Sequence, residues 1–252
     1  MLAAQRRAEL LDRLRRDGRV VAKDVAAELG VSEDSVRRDL RDLAADGLCR
    51  RVYGGALPAS PAVADYAGRR DVAVASKERV ARTAAALVRP GCTAILDGGT
   101  TALAVARALP RDLAATVVTH SPTVAVALVD HPHVDVHLLG GRLFKHSVVT
   151  CGAAAAEAAS AVTADVFLLG VTGIHHAEGL TTGDADEAAM KRALAARAGD
   201  TYVLGSSEKI GAASPFRVLR LDEVSGIVTD APAGDRARRE LEAAGAVVLD
   251  AT

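Results

Sequence analysis

The sequence predicts an α/β protein made of an N-terminal winged helix-turn-helix and a C-terminal α/β domain with a mainly parallel sheet. Three observations carry that prediction. Two short amphipathic segments near the N-terminus are separated by a glycine-containing turn, a stretch from Leu57 to Ala64 holds two prolines and no charge, and helical and β-rich segments alternate from there to the end. At 252 residues the chain is long enough for a small module joined to a medium one. Half of the residues are hydrophobic but only 2% are aromatic, so the core is expected to be Ala, Val and Leu. That composition excludes disorder of the whole chain.

In Ala8 to Arg16 the leucines at 10, 11 and 14 fall on one helical face with arginines around them, and Gly18 ends the helix. Val20 and Val21 form a short extended link. A second helix covers about Ala22 to Leu29, with Val25, Ala26 and Leu29 inward, and Gly30 stops it. Ser32 stands where an N-cap belongs, and Val36, Leu40 and Leu43 mark the buried face of a third helix running to about Asp46. A helical wheel then puts Asp34, Ser35, Arg37, Arg38 and Arg41 on its flanks and far side. After Gly47, Leu48 to Ala56 suggests a small hairpin turning at Gly54 and Gly55 and carrying Arg50, Arg51 and Tyr53. Arginines on such a helix reach guanine edges or phosphates, and a serine hydroxyl can bond to either. The expected DNA-contact set is Ser32, Ser35, Arg37, Arg38, Arg41, Arg51 and Tyr53. The same pattern also fits a solvated helical bundle with an arginine-rich surface.

Residues 1–57 carry 12 Lys/Arg against 10 Asp/Glu, a balance of +2, which leaves −3 for the remainder. So small an excess speaks against a binder indifferent to sequence. The N-terminus, MLAAQRRAELLDRLRRDG, threads its charges through a helical pattern and does not resemble a signal peptide. Charge interrupts the longest apolar stretches, such as Ala164 to Val171, well short of the roughly 18 residues of a membrane span. No membrane association and a cytoplasmic location are expected. Cys49, Cys92 and Cys151, odd in number and far apart, fit reduced structural thiols. The expected division is a DNA-binding domain over 1–57, a linker over 58–75 and a second domain over 76–252.

In that second domain, helices are expected over Lys77–Val88, Thr101–Leu109, Pro122–Val129, Gly152–Ala161, Asp186–Arg197 and Arg236–Ala244. Strands are expected over Thr93–Asp97, Thr116–Thr119, Val134–Leu139, Val166–Gly170, Thr201–Leu204 and Gly226–Thr229, with a last one after the final helix. Such alternation implies a parallel sheet covered on both faces, whose ligands gather at the carboxyl ends of the strands. The first strand ends in Asp97, and Gly98, Gly99, Thr100 and Thr101 then open a helix, which makes a cradle for an anion. It lacks the GK[ST] of a Walker loop and the GxGxxG fingerprint, and a turn needing its glycines only for geometry is the competing explanation. Thr119 to Ser121, Gly140 to Arg142 and Gly170 to Gly173 lie at other strand ends. Lys77 and Lys209 are two ammonium groups able to balance a phosphate.

These residues resemble one known family. GVSEDSVRRDLRDL followed by DGLCRRVYGGA is similar to the winged helix-turn-helix of DeoR-type bacterial repressors, over residues 6–56, and in that family the helix matching about Ser32 to Asp46 reads operator DNA. Over residues 69–230, the runs Asp97-Gly-Gly-Thr-Thr101, Leu139-Gly-Gly141, Asp165 to Gly170, Gly179-Leu-Thr181, Ser206-Ser-Glu-Lys209 and Val228-Thr-Asp230 resemble the effector domain of the same family. The resemblance implies a fold similar to ribose-5-phosphate isomerase and a phosphorylated sugar as effector. It implies that Asp97, Gly99, Thr100 and Thr101 hold the ligand and its phosphate, with Lys77 and Lys209 as charge partners. With Gly98, Ser121, Gly141 and Gly173 from the strand ends, these form the expected effector-binding set. The chain departs from the family pattern at His120, where Asn is usual, and at Gly205 to Glu208, where an Asp is usual and Glu208 is not.

An isomerase would need a carboxylate or histidine to move a proton, and His175, His176, Glu178, Asp184, Asp186 and Glu187 offer one. The attached DNA-binding module argues for a sensor without turnover, so no catalytic residue is expected. The histidines at 131, 133 and 137 lack the accompanying Cys or carboxylate pattern of a metal site, and neither metal nor cofactor is expected. One module of about 50 residues offers limited contact area, so duplex operator DNA is expected to be held by a homodimer or homotetramer.

Overall fold

The computed structural model describes residues 2–60 and 64–252; residues 61–63 of the expected linker, residue 1 and the side chain of Arg15 lie outside the described residues. The head begins with α1 (Ala3–Asp17), five residues earlier than the leucine stripe suggests, because the polar first turn is closed by Leu2 N–H donating to Gln5 Oε1 at 3.3 Å. It ends at Gly18, whose left-handed φ of 69° aims its N–H at Leu14 O. Next come β1 (Val20–Val21), α2 (Ala22–Leu29) and α3 (Glu33–Ala45), the last capped as expected by Ser32 Oγ accepting from Ser35 N–H at 3.2 Å. Leu10, Leu14, Val25, Val36, Leu40 and Leu43 form the buried centre.

The wing consists of β2 (Cys49–Val52) and β3 (Gly55–Pro58), in an antiparallel sheet of order β1-β3-β2. Val52 pairs with Gly55, so the turn residues are Tyr53 and Gly54, one position earlier than expected. Gly54 supplies the positive φ of 78°. Gly55 is needed for a different reason: a Cβ there would stand 1.8 Å from Val20 O across the β1–β3 ladder.

Beyond the head lie α4 (Tyr66–Arg69), α5 (Val74–Ala85), β4 (Thr93–Leu96), α6 (Thr100–Ala108), β5 (Ala115–Thr119), α7 (Pro122–Leu128) and β6 (Val134–Leu138). Then follow β7 (Arg142–Phe144), β8 (Val149–Cys151), α8 (Ala153–Ser160), β9 (Ala164–Gly170), β10 (Gly173–His175), β11 (Gly179–Thr182) and α9 (Ala185–Ala195). The chain closes with β12 (Ala198–Leu204), β13 (Phe216–Leu219), β14 (Gly226–Thr229), α10 (Arg236–Ala243) and β15 (Val248–Asp250). Seven strands form one parallel sheet in the order β15-β14-β12-β9-β4-β5-β6. Alternate residues feed opposite faces: Ala94 and Leu96 pack against α5, α6 and α7, while Ile95 packs in the second core with α8 and α9.

Three features depart from the sequence expectation. The segment around residues 58–75 is not simply extended: β3 runs on to Pro58, α4 is helical, and α5 starts at Val74. A hairpin of β7 and β8 and an antiparallel sheet of order β10-β11-β13 join the parallel one. These strands are only three or four residues long, and tertiary pairing forms them where local alternation is too short to be read. Connector and head both touch the second domain: Ala59 bridges Ala213, Ser60 Oγ donates to Thr172 O, and Arg50 Nη2 of the head lies 3.7 Å from Glu178 Oε2. No helix among the described residues is long and apolar enough to cross a membrane.

Substituting Gly55→Ala should lower the stability of the head by about 1–3 kcal/mol, since the clash is with backbone and β1 must move. Chemical denaturation followed at the head would check this, and a loss below about 0.5 kcal/mol would show that the ladder gives way freely.

Candidate functional site

In the parallel sheet, β5 and β6 lie on one side of β4, and β9 lies on the other with β12, β14 and β15 beyond it. The order therefore reverses between β4 and β9, and the loops leaving their carboxyl ends part to open a crevice. A cleft sits there, lined from β4 and α6 by Gly98, Gly99, Thr100 and Thr101, and from the end of β9 by Gly170 and Val171. Thr182, Glu187 and Lys191 come from β11 and α9, Glu208 and Lys209 from the turn after β12, and Arg69, Val72 and Lys77 from α4, the link after it and α5. Gly99, with φ of 93°, turns the chain into α6, whose N-terminus has no side-chain cap. A positive helix end thus faces the cleft.

The cleft rests on Asp97. Its Oδ1 accepts from Gly98 N–H and from His120 Nε2 at 2.7 Å each, and its Oδ2 accepts from Gly170 N–H at 2.8 Å and Lys191 Nζ at 2.6 Å. The carboxyl group is fully buried, and although desolvation opposes ionisation, Lys191 and His120 hold it well below the usual carboxylate range. This corrects the expectation that Asp97 holds a ligand: both oxygens are spoken for inside the protein. Burial works against the charge of Lys191, but Asp97 and Glu187 together raise its pKa. Glu187 Oε2 accepts in turn from Thr182 Oγ1 at 2.9 Å and from Ser147 Oγ at 3.3 Å.

Three further cations line the cleft. Lys209 Nζ donates to Thr101 Oγ1 and Leu204 O, both at 3.1 Å, and burial, with Lys77, Arg69 and Lys191 nearby, pushes its pKa down to about 8 despite Glu208. Lys77 Nζ donates to Arg69 O at 2.6 Å, and burial likewise lowers its pKa. Burial is also the main cause lowering Arg69. Four cations (Arg69, Lys77, Lys191, Lys209) face three carboxylates (Asp97, Glu187, Glu208), so the site carries net positive charge while all remain ionised. Sequence reasoning missed Arg69, which lies in the expected linker, and Lys191, whose only signal is its position one helical turn after Glu187.

Other expected residues stand elsewhere. Ser121 is fully buried behind Gly98, with its hydroxyl on Thr123 Oγ1 and Val148 O. Gly141 and Gly173 are packing positions: an added Cβ would meet Ala155 Cβ at 2.9 Å and Ala212 O at 2.6 Å respectively. None of the three lines the cleft. Of the proton-transfer candidates only Glu187 reaches it. His175 stacks on His176, and burial pushes its pKa down to about 4; Glu178 meets Arg50; Asp184 caps α9; Asp186 pairs with Arg142 at the surface. His131 contacts Pro110 O and His137 contacts Asp135, and no metal-holding cluster occurs among the described residues.

The matches to known families agree with this geometry. Residues 6–61 match the DeoR-like helix-turn-helix domain, and residues 72–231 match the DeoR C terminal sensor domain. The chain belongs to the DeoR family. It is a DNA-binding transcriptional regulator of the DeoR sugar-regulator type and not an enzyme. Relatives include the HTH-type transcriptional regulator GlpR of Haloferax volcanii, 31% identical over 99% of this chain and 98% of that one. The Glycerol-3-phosphate regulon repressor of Escherichia coli is 30% identical over 92% of each. Among solved structures, ribose 5-phosphate isomerase A from Methanocaldococcus jannaschii overlaps 53% of this chain and 52% of its own, with 17% identity and a TM-score of 0.39.

On the DeoR-type head, Arg37, Arg38 and Arg41 are exposed along α3, and Tyr53 is fully exposed at the wing tip. Arg51 and Arg37 line one shallow hollow with Gly54 and Gly55, so helix and wing share a face. Arg37 also pairs with Glu33 at 2.6 Å. Ser32 and Ser35 are 2.9 Å apart at their hydroxyls and serve first as the cap of α3. Arg50, expected on the wing's DNA side, faces the other way, because it is one residue from Arg51 on a strand of period two. Asp39 is buried against Arg6 and Arg7 of α1, a clamp between helices that apolar periodicity does not reveal.

Replacing Asp97→Asn should cost roughly 3–5 kcal/mol of stability by leaving the buried Lys191 with only the more distant Glu187 as its counter-charge. The double variant Asp97→Asn with Lys191→Met should recover part of that loss, as measured by urea denaturation. Simple additivity of the two single losses would mean that the pair is not coupled.

Proposed function

We propose that this DeoR-family regulator represses a carbohydrate-catabolism operon and leaves its operator when a phosphorylated sugar enters the cleft. The observation that supports this most is the convergence of Arg69, Lys77 and Lys209 on the uncapped N-terminus of α6, beside the hydroxyls of Thr100 and Thr101. Those groups suit a phosphate. A relative named for the glycerol-3-phosphate regulon fits the same ligand chemistry. Gly98, Gly99, Thr100, Thr101, Lys77 and Lys209 are the effector contacts in this proposal. Ser32, Ser35, Arg37, Arg38, Arg41, Arg51 and Tyr53 meet duplex operator DNA. Residues 1–57 act as the DNA-binding domain, 58–75 as the connector, and 76–252 as the sensing and oligomerisation domain of a cytoplasmic homodimer or homotetramer. The sugar phosphate is an effector, and no cofactor is involved.

The effector weakens DNA binding only by as much as its affinity differs between two arrangements of the heads. A path exists for such a difference. Thr182 lines the cleft at one end of the β10–β11 ribbon, and Glu178 meets Arg50 of the wing at the other.

Arg38→Ala should weaken operator binding at least tenfold in a gel-shift titration while effector binding persists. Thr100→Ala with Lys209→Ala should do the reverse, and a normal effector response in that double variant would put the cleft assignment aside. Affinity for the phosphate should also depend on pH. The Lys209 ammonium is fully present below its pKa of about 8 and is lost above it, so affinity measured by calorimetry should fall as pH rises through 8. Lys209→Arg, which stays charged, should remove that fall.

A further inference from the structure

Four buried side-chain polar atoms among the described residues have no hydrogen-bond partner, and two of them belong to residues lining this one cleft. Glu208 uses Oε1 to accept from Ser206 Oγ at 2.7 Å, while its Oε2 has no partner. Arg69, 8% exposed, spends Nη2 on His146 O and Ser147 Oγ at 3.3 Å each, and its Nε has none. Buried polar atoms are nearly always paired, and an unpaired charged one is costly. An unpaired acceptor and an unpaired donor in the wall of one cleft therefore point to a ligand that presents the opposite pair.

The ionised phosphoryl group of a phosphate ester does not answer this requirement. It has oxygens for Arg69 but no donor for Glu208, whose charge repels it; inorganic phosphate offers only its P–OH, against the same repulsion. Glu208 already lies close enough to Lys77 and Lys209 to raise the pKa of both against burial, so it also subtracts from the positive charge on which an anion depends. A carboxylate in that position favours a ligand only where the ligand brings a hydrogen-bond donor to it. A sugar or polyol hydroxyl does so, and a carbon chain without hydroxyls does not.

We propose that Glu208 and Arg69 make the cleft selective for polyhydroxylated phosphates over simple ones: Glu208 Oε2 accepts from a ligand hydroxyl, and Arg69 Nε donates to a ligand oxygen. This rests on the cleft being the effector site. A site that hydrogen-bonds a hydroxyl discriminates against the analogue lacking it far more than a site that only tolerates one.

The test titrates the full chain by calorimetry with inorganic phosphate, ethyl phosphate and a set of three- to six-carbon polyol and sugar phosphates. The wild-type protein should prefer at least one hydroxylated member over ethyl phosphate by roughly tenfold or more. In Glu208→Gln that preference should shrink by about tenfold, as a charge-assisted bond becomes a neutral one, while ethyl phosphate binds more tightly. Opposite movement of the two ligands is something a merely structural role would not produce. Arg69→Lys, which keeps the charge but moves the donor, should weaken the hydroxylated ligand more than ethyl phosphate. If Glu208→Gln does not fold, as judged by thermal unfolding, Glu208→Asp replaces it, with the shorter reach expected to cut the same preference. A wild-type preference that the variants retain overturns the inference alone. No binding of any member by the wild-type protein removes the effector cleft, and the inference with it.

Discussion

Everything at the mouth of the sheet depends on one buried carboxylate. Where a parallel sheet reverses its order, the loops after two neighbouring strands diverge, and their first N–H groups have no strand to pair with. Asp97 supplies the missing acceptors, taking Gly98 N–H from its own loop and Gly170 N–H from the very end of β9. Such a charge is tolerated in the interior only when it is paired and hydrogen-bonded, and Lys191 and His120 complete that set. One side chain thereby fixes the spacing of β4, β9 and α9. The consequence for chemistry is indirect but large. With Asp97 occupied and Lys191 shared between it and Glu187, Arg69, Lys77 and Lys209 confront only Glu208, so an anion is what the open side of the site can receive.

That fixed frame also determines what can move. The segment after Lys209 is tied to the ribbon through Gly211 N–H on Ile174 O and Ser214 N–H on Thr181 Oγ1 at 2.8 Å each, and Ala213 bridges Ala59 of the connector. Thr172, in the same region, receives Ser60 Oγ and shares a hydrogen bond with Ser214 Oγ. Cleft and connector are thus joined by short segments whose backbone groups are already committed. A ligand that shifts Lys209 or Thr182 can reach the head through these segments and through the Arg50–Glu178 contact. The route is physical contiguity, and it acquires regulatory meaning only if two arrangements of it exist.

Much of this was legible in the sequence because it rests on strong periodicity. The leucine and valine stripes of α1 and α3, the Ser32 cap, the glycine stops at 18 and 30, and the seven strands of the parallel sheet all follow from local pattern. The cradle from Gly98 to Thr101 and the two lysines were visible for the same reason, since strand, glycine pair and helix start are adjacent in the chain. What was not legible is non-local. Arg69 comes from a four-residue helix in a stretch with little apolar pattern, and it becomes a site residue only through contacts with His146 and Ser147, more than seventy residues away. Asp97 looked like a ligand contact because its residue type and place at a strand end suit one. Whether its oxygens were free depended on His120 and Lys191, which sequence spacing does not bring near.

The head's small charge excess shapes how it must work. Arg37 is partly neutralised by Glu33, Arg6 and Arg7 are drawn inward by Asp39 and Asp42, and Arg13 is held by Glu9 and Glu28. Arg6, Arg7 and Arg13 are thereby committed to ion pairs within the head, while Arg37, Arg38, Arg41 and Arg51 stand exposed on α3 and the neighbouring strand of the wing. Phosphate attraction, which scales with the number of contacts made, is correspondingly modest for one head. In the proposed oligomer, discrimination then depends on a few side chains placed accurately in a groove and on joining two heads at a fixed separation, where a second contact is gained at high effective concentration. The same arrangement makes the complex sensitive to head orientation. A head that bound tightly by charge alone would tolerate a change in spacing, whereas a pair of weakly charged heads loses its second contact when the connector shifts. Under the proposed function, low charge is therefore the property that would let a ligand in the distant cleft influence occupancy of DNA.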